Sequence, residues 1–87
     1  MTIKKGLILK EIAGSYIVVA VGNAVKEVGG IITLNKTGAF LWKNLEKGLT
    51  EEELVSALVS HFKVDKETAK TDVLEFVLSL NNANLLA

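Results

Sequence analysis

The chain has 87 residues, 49% of them hydrophobic, with a mean hydropathy of +0.37. Ten Lys balance ten Asp and Glu, and the sequence holds one His, no Arg and no Cys. This leaves room for one domain over residues 1–87. It excludes disulfides and thiolate metal sites, and it argues against nucleic acid or anionic membrane as partner, which draw on net positive charge and the Arg fork.

The apolar run that starts the chain is broken by Lys10 and Glu11. It is too short for a signal-peptide core or a membrane span, so a cytoplasmic protein is expected. Leu7–Ile12 and Tyr16–Val21 are dense in Ile, Val, Leu and Tyr, with Ala13-Gly14-Ser15 between them, which predicts a β-hairpin. In the second run Tyr16, Val18 and Ala20 face one way and Ile17, Val19 and Val21 the other. A strand apolar on both faces is expected to be covered on both, by helices on one side and by a partner or second protomer on the other. Gly22–Gly30 reads as a loop or a ragged extension of that strand. Gly29-Gly30 permits a sharp turn into a short third strand, Ile31–Leu34.

Three helices are predicted next. Asn35 is placed to cap the first, which carries Phe40, Leu41, Trp42 and Leu45 and stops at Gly48. Thr50 with Glu53 fits the capping box of the second. Leu54, Val55, Leu58, Val59 and Phe62 form its apolar stripe. Asp65 is expected to cap the third, roughly Lys66–Asn82, with Glu67 in its first turn. Ala69, Val73, Phe76, Val77 and Leu80 make one stripe on that helix, expected in the core. Leu74 and Leu78 make a second, so the helix is expected to be contacted on more than one side.

No catalytic constellation is visible. His61, at the end of the second helix, reads as a favourable charge at a helix C-terminus. Glu51, Glu52 and Glu53 point different ways around a helix and read as a solvated first turn. Trp42 reads as core packing in preference to a ligand platform. No phosphate-binding, dinucleotide-binding or nucleophile motif occurs. The residues point to a non-enzyme without metal or cofactor.

The order of elements resembles the PqqD-like family, the recognition domains for ribosomally made, post-translationally modified peptides. The residues that carry the resemblance are Ile32-Thr33-Leu34-Asn35-x-Thr37-Gly38, then Leu41-Trp42, then Thr50-x-x-Glu53-Leu54 with Leu58 and Phe62. Asp72-Val73-x-x-Phe76-x-x-x-Leu80 and Leu85-Leu86 complete them. The resemblance implies an α+β, winged helix-turn-helix-like fold, a three-stranded antiparallel sheet followed by three helices. It also implies a non-catalytic task, holding the leader segment of a precursor peptide as an added strand. The peptide is then presented to a modifying enzyme, such as a radical-SAM protein, or to a leader peptidase. Carried over, the peptide-binding residues are Gly30, Ile31, Ile32, Thr33 and Leu34 on the strand edge. The facing third helix offers Asp72, Leu74, Glu75, Leu78 and Asn82 as candidates, with the choice among them left open. A proline at Ile32 is expected to weaken binding by removing a main-chain donor.

Two positions depart from the family pattern. Asn84 stands where a Gly commonly precedes the final Leu-Leu pair, and Asn is the non-Gly residue that best tolerates a left-handed backbone. Val21–Gly29 lacks the Pro expected in members tied to quinone-cofactor synthesis, which leaves the final product open. Two other functions stay in play. One is a homodimeric assembly module that buries the doubly apolar hairpin. The other is a DNA-binding winged helix, which the mixed charge of the third helix and the lack of Arg disfavour.

Overall fold

The structure, a computed structural model, describes residues 1–28 and 32–87. Strand β1 (Leu7–Ile12) pairs antiparallel with β2 (Ser15–Ala20), joined by Ala13-Gly14. Both loop residues have positive φ, 51° and 82°. A two-residue loop of this kind has the twist that matches the strands it connects. The register pairs Leu7 with Ala20 through Ile12 with Ser15.

Between β2 and β3 the expected loop or strand extension instead contains a short helix, α1 (Ala24–Val28). The N–H groups of Ala24, Val25 and Lys26 donate to the carbonyls of Val21, Gly22 and Asn23, which closes its first turn. Ala24 is buried at its base, where a side chain on Gly6 would come within 2.9 Å of the Ala24 Cβ and 2.7 Å of the Val21 carbonyl oxygen. Gly6 has a φ of 85°, a conformation that Gly adopts without cost.

Strand β3 (Ile32–Leu34) pairs antiparallel with β2, giving the sheet order β1-β2-β3 with β3 at an edge. It runs straight into α2 (Lys36–Glu46), capped by Asn35, whose side chain accepts the Gly38 N–H at 2.7 Å. Helix α3 (Glu51–Phe62) opens with the full capping box, the Thr50 hydroxyl accepting from the Glu53 N–H and the Glu53 carboxylate from the Thr50 N–H. Helix α4 (Lys66–Asn82) has Asp65 at its N-cap position, but the Asp65 side chain makes no cap hydrogen bond, contrary to expectation. Four helices are thus present among the described residues, the three predicted ones and α1.

The inner face of the sheet, with Leu7 and Val18, packs on α2, α3 and α4 through Leu41, Trp42, Leu45, Leu54, Leu58, Val73 and Leu80. Trp42 is fully buried, as a core residue, and its indole Nε1–H has no hydrogen-bond partner among the described residues. His61 does not cap α3. Its ring stacks on Phe40 with centroids 4.4 Å apart, and the helix ends at Lys63, which is left-handed and donates its N–H to Val59. The chain's two ends meet: the Lys4 N–H donates to Leu85 and the Ala87 N–H to Thr2. Asn84 is left-handed, with φ 62°, and Leu85 beyond it is buried in the core. The outer face of the sheet is covered by none of these elements, and Ile8 and Ile12 remain 42% and 54% exposed there.

Candidate functional site

The site is a groove of about 370 Å³ between β3, the start of α2 and one flank of α4. Ile32, Thr33 and Leu34 form one bank. Asn35, Thr37, Gly38 and Leu41 close one end and part of the floor. Asp72, Glu75, Phe76, Ser79, Leu80 and Ala83 form the α4 side, and Leu85 lies beneath them. The floor is apolar, since Leu41, Phe76, Leu80 and Leu85 all belong to the buried core. The rim is polar. Gly38 keeps the junction tight, because a Cβ there would stand 3.1 Å from the Asn35 Oδ1 and 3.5 Å from the Leu34 Cβ. A helix that starts within one residue of its strand leaves no loop to fill the groove.

Backbone phase decides what β3 offers outward. The loop closes on Ile12 and Ser15, the ends of a four-residue turn, and in an antiparallel pair every second residue pair exchanges hydrogen bonds. The Val21 N–H donating to Gly6 falls in the same phase. Ser15, Ile17 and Val19 therefore bond toward β1, while Tyr16 and Val18 bond toward β3. Their partners there are Leu34 and Ile32. The N–H and C=O of Ile32 and Leu34 are thus used inside the sheet, and those of Thr33 point out over the open edge. This corrects the expectation for a proline at Ile32, which would break the sheet's own pairing. The outward donor is Thr33.

Of the residues singled out in the sequence, Ile32, Thr33, Leu34, Asp72 and Glu75 come together around the groove. Gly30 and Ile31 lie outside the described residues. Leu74, Leu78 and Asn82 do not line it. Each residue advances a helix by 100°, so Leu74 stands about 160° round α4 from Asp72, and Leu78 the same angle from Phe76. Both leucines are exposed, at 54% and 50%, and Asn82 is exposed at the helix end. The groove residues missed in the sequence, Ser79 and Ala83 among them, continue the line from Asp72 and Glu75 at helical spacing. Their signal was small size, which leaves room for a neighbouring chain beside the core stripe.

Asp72 and Glu75 are, among the described residues, the only ionisable side chains lining the groove. Among the described residues the one ion pair lies elsewhere, between Lys4 and Glu27 at 4.0 Å. No cluster of His, Asp and Glu among the described residues is arranged to hold a metal ion, and no described helix is long and apolar enough to cross a membrane.

An open sheet edge beside an apolar-floored trough is the geometry of the candidate site in this small α+β domain. The model of the family described as coenzyme PQQ synthesis protein D (PqqD) matches residues 8–86, and the chain belongs to that family. Its fold is similar to that of TbiB1, solved in complex with the TbiA(beta) leader peptide, with a TM-score of 0.81 and 27% identity over 99% of this chain and 94% of that one. It is also similar in fold to a lasso peptide synthetase B1 complexed with its leader peptide, with a TM-score of 0.75 and 20% identity over 97% and 92% of the two chains. No curated protein matches the sequence.

Proposed function

We propose that this chain is a non-catalytic recognition domain for the leader segment of a ribosomally made precursor peptide. The leader adds as a strand beside β3 and lies in the groove against α4. The observation that carries this reading is the free edge of β3, with Thr33 presenting both main-chain groups along an apolar-floored trough. Strand addition draws affinity from main-chain hydrogen bonds and selectivity from the pockets that alternate side chains enter. Membership of the PqqD family and likeness to TbiB1, solved with a leader peptide, support it. Ile32, Thr33, Leu34, Asp72 and Glu75 are the proposed peptide contacts. The held peptide is handed, in the cytoplasm, to a separate modifying enzyme of radical-SAM type or to a leader peptidase.

The test is an amide NMR titration with the leader of a short peptide encoded beside this gene. Saturable shifts at Ile32–Leu34 and along the Asp72–Ala83 flank are expected. Absence of shifts with a verified native leader overturns the reading.

A homodimeric assembly module has one observation in its favour, the exposed Ile8 and Ile12 on the uncovered sheet face. Sedimentation across concentration separates the two: a stable dimer that ignores the leader supports assembly.

A further inference from the structure

The proposed function leaves the chemistry of the peptide open, and the groove narrows it. The inference rests on that reading. A strand added beside β3 pairs its main chain with Thr33. Side chains alternate across a sheet, so the residue opposite Thr33 points to the outer face, as Thr33 does. The residues on either side of it share the face of Ile32 and Leu34, which pack toward the core, and enter the groove against α4. This holds for either strand direction.

The α4 wall they meet is divided along its length. Asp72 and Glu75 occupy its first part, and Ser79, Leu80 and Ala83 its second. From Asp72 to Ala83 the wall is about 16 Å long, at 1.5 Å per residue. That length is matched by about five residues of extended chain. Among the described residues both carboxylates stand without a cation partner, and no basic side chain lines the trough to offset them. Asp72 is partly buried, so a cation placed beside it replaces water it has already partly lost.

We infer that the segment this groove selects carries a Lys or Arg at one inward-facing position, against Asp72 and Glu75. An apolar residue sits at another inward-facing position, two or four residues away, against the Phe76–Leu80 floor. An acidic leader of equal apolar content is rejected. Like charges set beside a half-buried carboxylate cost affinity, and specificity of this kind comes as much from repulsion as from attraction.

The test uses a displayed library of random peptides, selected on the intact wild-type chain and on Asp72→Asn/Glu75→Gln. Clones that shift the Thr33 amide are taken as groove binders. The expected result is enrichment of Lys or Arg at one alternating position on the wild type, lost on the double variant. The best basic clone should bind the double variant about tenfold more weakly and should weaken with added salt. Charge reversal, Asp72→Lys/Glu75→Lys, should turn the selected residue to Asp or Glu. Groove binders without a basic preference, or with the same preference on the double variant, overturn the inference and leave strand addition standing. Failure to select any groove binder overturns both.

Discussion

The two flanks of α4 differ in apolar content and have opposite fates. One flank runs through Asp72, Glu75, Phe76, Ser79 and Ala83 and forms a wall of the groove. The other presents Leu74 and Leu78, 54% and 50% exposed and outside the core cluster of the described residues. Hydrophobicity alone favours the second flank as a binding surface, yet concavity belongs to the first. A trough needs a second bank, and β3 supplies it only where Val73, Phe76 and Leu80 anchor the helix in the core. The small side chains at Ser79 and Ala83 then leave room for an added strand. What marks the candidate site is an open main-chain edge facing a wall with space in front of it.

The largest effect that sharpens this contrast is on stability. Leu80→Ala, at a side chain only 2% exposed, should cost about 2–5 kcal/mol. Leu78→Ala, two residues before it, should change stability by less than about 0.5 kcal/mol. Urea unfolding of the two variants checks the pair, and equal losses would place both leucines in the core.

The next contrast lies between neighbours on β3. Ile32→Pro removes an N–H that bonds to Val18 within the sheet and should clearly lower the melting temperature. Thr33→Pro removes only an outward donor, which an edge strand tolerates. It should leave the melting temperature nearly unchanged while weakening leader binding about tenfold. Calorimetric titration of the leader into each folded variant reads the difference. Unchanged affinity in Thr33→Pro would move the peptide off this edge.

A smaller effect separates two helix starts. Thr50→Ala dismantles the capping box of α3 and should cost about 1 kcal/mol. Asp65→Ala removes a side chain that makes no cap bond, so only its charge at the α4 N-terminus is lost, about 0.3–0.5 kcal/mol. Thermal melts of both variants, compared at one ionic strength, test the order.

Much of the fold was legible in the sequence because local signals carry it. The β1 run, the Asn35 and Thr50 caps and the span of α4 were set by the density of strand-forming residues, capping chemistry and helical period, all readable within a few residues. Helix α1 was not legible, since five residues are too few for a period to show. At Asp65 the residue type was right for a cap, and the side chain simply does not bond. The site was half legible. The β3 edge and the Asp72/Glu75 pair were named from the resemblance, but the choice between the flanks of α4 was not open to periodicity. A stripe pattern gives the angles between residues on a helix and leaves its rotation against the sheet undetermined. That rotation is set by distant contacts, such as Leu85 returning under the helix after the left-handed Asn84.

The mildest substitution is therefore the most discriminating. Leu78→Asp places a charge on a side chain that is 50% exposed. The carboxylate stays hydrated, so the fold should lose under about 0.5 kcal/mol. Leu78 does not line the groove but stands about 60° round the helix from Glu75, so leader affinity should change less than in Thr33→Pro in the same titration. If Leu78→Asp melts like the wild type and yet loses the leader, the peptide crosses the Leu74/Leu78 flank and the groove beside Thr33 is not its seat. If it loses only an interaction with a modifying enzyme added to the leader complex, the two flanks divide the work: one holds the peptide and the other meets the enzyme.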